Sequence, residues 1–492
     1  MEQLMTTINL SAIYPEIILT GFALLILVMQ SFHRERFKGY YGIVSLLGVA
    51  AAIAFIVSRP GSFSLQTVEY SFSGMWVVDN YARFFKLIFL LGTFLTILIS
   101  VKYLQHEAMQ YGEYYALVLF ATIGMMIMAS GAELITIFLG IELMSVTLYV
   151  LAGYTRARMV SNEAALKYFL LGSFATGFLL YGIALIFGST GTTSLKAISE
   201  VIATAGFKNP VTIIGMALLV VGFGFKTASV PFHMWAPDVY EGAPAPVTAF
   251  MSAGPKAAAF AAFVRIFMAA LPSLQSEWTA VIWVIAVLTM TVGNVIALVQ
   301  DNIKRMLAYS SIAHAGYVLV GFLAAGELGV TSILYYLLAY TFMNIGAFAI
   351  IVMLAGKDEE RVYIQDYKGL GYTQPVAAIA MSLFLFSLAG IPPTAGFMGK
   401  FYIFSAAIKE GYIGLAIIGV INSVVSVYYY LRVTVAMYMQ DPTVPQNSQM
   451  QMLLGSPGLA AAVLISAYGV LSLGIFPAGY MAIVRQSFLI LQ

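Results

Sequence analysis

Lys226 in GFGFKTASVP, Lys256 in SAGPKAAAF and Lys400 in GFMGKFYIF are ammonium groups set in apolar sequence, and Glu142 in FLGIELMSV is a carboxylate in a similar setting. At the centre of a bilayer each such group costs about 2.5–3.5 kcal/mol on insertion scales, so the four together cost on the order of 10 kcal/mol. That rivals the stability of a whole domain. Groups this costly persist where they pair, face water or carry ions. A low dielectric weakens an ammonium's hold on its proton, and a nearby carboxylate restores it. A glutamate and a lysine whose separation changes can therefore load and unload a proton. His233, two residues past Pro231, and His314 in LAYSSIAHAGY add groups that titrate near neutrality and can relay protons. A lone histidine on an apolar helix is more often a hydrogen-bonded core residue. The relay reading gains for His233 from its place between Lys226 and Lys256, and for His314 from Tyr309, Ser310 and Ser311, which can hold water.

The elements that must position these groups are membrane spans. Of 492 residues, 61% are hydrophobic and 9% charged, against about 25% charged in soluble domains. A helix needs about 20 apolar residues to cross the hydrocarbon, and on that ruler the chain holds fourteen spans. Glu2 and Glu16 frame a polar lead into the first, which reads as a retained span rather than a cleaved leader. The longest polar stretches, 59–79, 188–210 and 357–373, are too short for a soluble domain, so nucleotide, flavin or iron–sulfur binding by this chain alone is not expected. There is no cysteine, which removes thiolate ligands and nucleophiles, and four unclustered histidines make a metal site unexpected.

Loop cations orient the spans. Arg34, Arg36, Lys38, Lys102, Arg156, Arg158, Lys304, Arg305, Lys357, Arg361 and Lys368 fall in odd-numbered loops, against Arg59, Lys196, Lys208, Lys409 and Arg485 in even loops and tails. The odd loops are expected in the cytoplasm and both termini outside. Other cations within the spans, Arg83, Lys86, Lys167 and Arg432, lie near span ends, where long side chains snorkel to the headgroups.

Two spans should be broken. Pro231 removes a backbone donor and clashes with the preceding turn, so the seventh span (211–235) should break near KTASVP; Pro392 and Pro393 should break the twelfth (375–408) at AGIPPTAG. Freed backbone groups are tolerated at membrane depth only where protein or water satisfies them. Spans four to eight and nine to thirteen form two five-helix units of similar length, with the break in the fourth member of each. Because five is odd, the second unit enters the membrane inverted, as in transporters whose ion path lies at the breaks. The expected organisation is three leading spans (1–112), a first repeat (113–276), a second, inverted repeat (277–438), and a loop with the last span (439–492). The fold class is an all-α polytopic membrane protein.

VPFHMWAPDVYEGAPAPVTAFMSAGPKAAAF (230–260) and AGIPPTAGFMGKFYIF (389–404) resemble NADH-quinone oxidoreductase subunit N, one of three antiporter-like subunits in the membrane arm of respiratory complex I. FLGIELMSVTLYVLAGYTR (138–156), EAALKYFLLGSFATGFLLYG (163–182) and DNIKRMLAYSSIAHAGY (301–317) extend the likeness over spans four to thirteen. The resemblance implies that Glu142 pairs with Lys226, that Lys256 is the central lysine, and that Lys400 serves the exit side, with His233 at a bridging position. It also implies a proton-pumping subunit of a complex whose FMN, iron–sulfur clusters, NADH and quinone belong to other subunits. The expected partners are the neighbouring subunits M and K and the lipid of the cell inner membrane, with no nucleic acid. A multisubunit sodium/proton antiporter is the alternative; it shares the P-x-H-x-W core, but usually not PDVYEGAPAPVTAF.

Overall fold

The computed structural model describes residues 8–33, 39–59, 68–204, 209–355, 361–441 and 456–488. Among the cations that orient the spans, Arg34, Arg36, Lys38, Lys208 and Lys357 fall outside these residues, as does Glu2. The leading helices are α1 (Tyr14–His33), α2 (Tyr41–Ser58) and α3 (Asn80–His106), with a small hairpin of β1 (Glu69–Ser71) and β2 (Trp76–Val78) before α3. The hairpin pairs Tyr70 with Val77, a strand element that the reading of 59–79 as a polar stretch did not contain.

A first set follows: α4 (Gly112–Ser130), α5 (Leu134–Ala152), α6 (Met159–Thr190), the short α7 (Leu195–Thr204), α8 (Pro210–Thr227), α9 (Trp235–Gly242) and α10 (Ala245–Ala269). The second set is α11 (Gln275–Ala297), α12 (Ile303–Leu323), α13 (Gly326–Leu354), the one-turn α14 (Leu370–Thr373), α15 (Pro375–Ala389), α16 (Ala395–Lys409) and α17 (Ile413–Met439). α18 (Pro457–Ile475) and α19 (Pro477–Gln486) close the described chain. Among the described residues, thirteen helices are long and apolar enough to cross a membrane. The chain is interrupted between α15 and α16 at AGIPPTAG, within the stretch 375–408 that the sequence counts as its twelfth span.

Polar residues start these helices where their side chains can take orphan amides. Asp79 accepts from Ala82 N at 2.7 Å, Asn209 from Val211 N at 2.9 Å, and Asn302 from Lys304 N at 2.9 Å. Close backbone approach joins the first two helices of each set. A Cβ on Gly140 would lie 2.8 Å from Gly124 O, and one on Gly316 would lie 2.7 Å from Met290 N. In both sets the third helix packs against each half of the broken fourth, α6 on α8 and α9, α13 on α15 and α16. The core lies where the sets meet: α10 is buried from Ala245 through Met268 and packs on the largely buried α13.

The two breaks share one backbone design in one register. Ala228 N bonds Phe225 O and Ser229 N bonds Gly224 O; correspondingly, Gly390 N bonds Ser387 O and Ile391 N bonds Phe386 O. This is the paired closure of a helix that ends in a left-handed residue. That residue lies three positions before Pro231 in one set and before Pro393 in the other, with φ 56° at Ala228 and 87° at Gly390. A side chain in this region costs roughly 1–2 kcal/mol, and a Cβ on Gly390 would also press on Lys400 Cδ at 3.1 Å. Thermal unfolding of the detergent-solubilised protein should therefore show Gly390→Ala lowering stability and Ala228→Gly preserving or raising it. The reverse order would exclude this account.

Candidate functional site

Lys226 ends α8, in the last turn before the break, and is 6% exposed. Its Nζ donates to Ser145 Oγ on α5 at 2.7 Å. Glu142, three residues earlier on α5, is only partly buried and accepts instead from Thr176 Oγ1 on α6 at 3.0 Å. Among the described residues no ion pair joins Glu142 to Lys226; Ser145 stands next to both. The carboxylate and the ammonium are thus each hydrogen-bonded apart, one turn of α5 from closing on each other.

Lys256 lies in the all-buried α10, and its Nζ donates to Ser311 Oγ on α12 at 2.5 Å. The ammonium also sits 5.7 Å from the Tyr240 ring of α9, a cation–π contact. One turn further along α12, His314 is 2% exposed. Its Nδ1 meets the Tyr336 hydroxyl of α13 at 2.5 Å and its Nε2 meets the Tyr430 hydroxyl of α17 at 3.1 Å. The Tyr430 hydroxyl bonds the Ser310 hydroxyl in turn. Each member of this set both donates and accepts, so a proton handed to one end can be released at the other by reorienting the hydroxyls and exchanging the imidazole tautomer.

Lys400 lies on α16, past the second break. Its three ammonium hydrogens reach Leu388 O at 3.0 Å, Ala389 O at 2.9 Å and Ser423 Oγ at 2.9 Å. The two carbonyls are the open C-terminal end of α15, where the helix dipole is negative. The break therefore creates the acceptors that keep this lysine in the membrane. The Tyr317 ring lies 5.0 Å from Lys400 Nζ and 5.6 Å from the His314 ring, between the two.

The structure thus brings Lys256, His314 and Lys400 along one seam: Lys256 bonds Ser311, one turn before His314 on α12, His314 bonds Tyr430 and through it Ser310, and the Tyr317 ring stands between His314 and Lys400. Lys226 and Glu142 form a separate group around Ser145 in the first set. His233 lies in the first break, partly exposed, and its Nδ1 is unpartnered among the described residues. No hydrogen bond ties it to either group among the described residues, though the Lys256 charge acts on it. The sequence reading named Ser310 and Ser311 but missed the hydroxyls of Ser145, Ser423, Tyr336 and Tyr430. Mid-span Tyr336 and Tyr430 were visible as polar atoms in apolar runs, yet among 30 tyrosines nothing local marks the two that meet a histidine.

The snorkelling reading needs correction at two positions. Lys86 is 4% exposed and ion-pairs with buried Glu16 at 2.7 Å. Arg83 is 5% exposed and bonds Asn80 Oδ1 at 3.1 Å. For Lys86 the reason is that Glu16 of α1 reaches it, and a carboxylate in contact holds the cation better than distant headgroups; Arg83 bonds the side chain of Asn80 on its own helix.

Residues 130–426 match the family model described as NADH:quinone oxidoreductase/Mrp antiporter, TM. The NADH-quinone oxidoreductase subunit N of Trichlorobacter lovleyi is 52% identical, covering 99% of this chain and 98% of its own. The NADH-quinone oxidoreductase subunit N 1 of Solibacter usitatus is 45% identical, over 96% of each. Among solved structures, a chain of respiratory complex I from Thermus thermophilus superposes with a TM-score of 0.79 at 34% identity, covering 95% of this chain and 98% of that one. A chain of the Mrp complex from Dietzia superposes with a TM-score of 0.84 at 22% identity, over 98% and 97%, a likeness of fold alone.

Proposed function

The chain belongs to the NADH-quinone oxidoreductase subunit N family, and from that premise we propose that it moves protons across the membrane through the buried lysines, driven by redox chemistry in other subunits. Its full-length likeness to subunit N sets this reading above the sodium/proton antiporter, whose likeness is one of fold. The two five-helix sets are inverted repeats, each broken in its fourth span. Protons enter at the Glu142–Lys226 group, cross from Lys256 to Ser311, pass the Ser310–Tyr430–His314 set and reach Lys400. The step at Lys226 is electrostatic: when Glu142 leaves Thr176 and closes on Lys226, the ammonium is held; when it withdraws, the positive charge repels a proton on Lys256 toward Ser311. FMN, iron–sulfur clusters and the quinone site lie in the partner subunits, with the M- and K-type subunits as neighbours in the inner membrane. Both termini face outward.

The observation that carries this reading is the Lys256–Ser311 bond, because it crosses from the first set to the second at the most buried helix of the protein. The test uses inverted membrane vesicles holding the whole complex, in which NADH–quinone turnover and proton uptake are recorded together. Lys226→Ala should lose most of both while the complex assembles, and Lys226→Arg, which keeps the charge, should retain a substantial part. Normal turnover and uptake in the alanine variant would reduce Lys226 to a structural charge.

A further inference from the structure

The half-helix α9 is gripped from the second set at three points. Arg305 Nη1, in the first turn of α12, reaches Asp238 Oδ1 at 2.8 Å and Glu241 Oε2 at 2.6 Å. Asn302 Nδ2 donates to Glu241 Oε1 at 3.0 Å, and Lys304 Nζ donates to Ala243 O, just past the end of α9, at 2.7 Å. From the first set, Lys167 Nζ on α6 meets the other Asp238 oxygen at 2.8 Å. Asp238 is thus a junction between an ammonium of one set and a guanidinium of the other. None of these contacts belongs to the lysine seam.

The register of the breaks sharpens the point. Asp238 lies seven positions after Pro231, and Lys400 seven positions after Pro393, in breaks that open with the same two closing backbone bonds. At this equivalent position the second set has a lysine that turns back onto the open carbonyls of its own broken span. The first set has a carboxylate that turns outward to the other set. Tyr240 lies between the two gripped residues Asp238 and Glu241, and its ring is one wall around Lys256. Ser311, the other wall, is on α12 six residues from Arg305. Arg305 therefore ties together the two helices that enclose the Lys256 ammonium.

We propose that Arg305, held by Asp238 and Glu241, is a positioning residue for proton transfer between the two sets: it fixes α9 on α12 so that Lys256 stays aligned on Ser311. The guanidinium takes up no proton itself; its Nη1 donates to two carboxylates about one helical turn apart, and its planar, always-charged group holds that geometry better than a lysine's flexible ammonium. This rests on the reading of Lys256 as a proton carrier.

The test is a double-mutant cycle in the assembled complex, with Arg305→Gln, Ser311→Ala and their combination, measured as turnover and proton uptake in inverted vesicles. Arg305→Gln should lower both rates on the order of fivefold, with the KM for quinone unchanged and Arg305→Lys restoring part of the loss. In the Ser311→Ala background the same change should have little further effect, because the alignment it protects is already gone. Full activity of the glutamine variant, or losses that multiply across the two sites, would overturn the proposal. Should Arg305→Gln fail to assemble, Asp238→Asn, which leaves Glu241 on Arg305, takes its place in the cycle. Lys256→Ala serves as reference: if it pumps normally, the relay reading falls; if it is inactive while Arg305 and Ser311 act independently, only the positioning role falls.

Discussion

Replacing Lys256 by alanine should cut NADH–quinone turnover and proton uptake together by about tenfold or more, the largest functional effect expected in this chain. Lys226 and Lys400 meet hydroxyls within their own sets, Ser145 and Ser423 respectively. Lys256 alone of the three reaches across, to Ser311. Without it the route from α10 to α12 has no ammonium to carry the proton, and the other side chains that hydrogen-bond Ser311, those of Tyr240 and Tyr340, are phenols. Lys256→Arg separates carrier from charge. Arginine keeps the positive charge and can donate to Ser311, but does not give up its proton in a protein. It should therefore be nearly as inactive as alanine, in contrast to Lys226→Arg. Parallel proton-uptake and turnover traces on both arginine variants check this. An active Lys256→Arg complex would make Lys256 a fixed charge and end its role as a carrier.

Asp79→Ala should give the largest loss of stability. Asp79 makes a two-pronged pair with Arg265, Oδ2 to Nη1 and Oδ1 to Nη2 at 2.9 Å each, and both residues are 5% exposed. The same carboxylate caps α3 through Ala82 N. Removing it strands a buried guanidinium at the end of α10, which costs about 3–5 kcal/mol, and removes a helix cap worth about 1 kcal/mol more. Asp79→Asn keeps a capping oxygen and one hydrogen bond to Arg265 but loses the charge, so it should fall between the two. The yield of assembled complex and its thermal stability in detergent measure this series. An alanine variant as stable as the wild type would mean that Arg265 finds another partner, and would remove the pair as the tie between the leading helices and the first set.

What could be read from the chain alone was whatever local chemistry decides. Span length follows from counting apolar residues against the bilayer, so the spans could be laid out along the chain, including the stretch that the structure divides into α15 and α16. The breaks were visible because proline acts on its own turn, and the observed interruptions, 228–234 and 390–394, lie where KTASVP and AGIPPTAG place them. Lys226, Lys256 and Lys400 stood out because an isolated charge in an apolar run is costly wherever the helix ends up. Tertiary structure alone decided what each charge touches. A partner depends on which face of a helix turns toward which neighbour, and those contacts span 81 residues for Lys226 and Ser145, 116 for His314 and Tyr430, and 186 for Arg265 and Asp79. Hence Ser145 rather than Glu142 receives Lys226, Glu16 holds Lys86 away from the headgroups, and Asp238 faces Arg305 of the other set. Proline breaks and the cost of buried charge are properties of a short stretch of chain, whereas the hydroxyls and carboxylates that satisfy the charge exist as a site only after the helices pack.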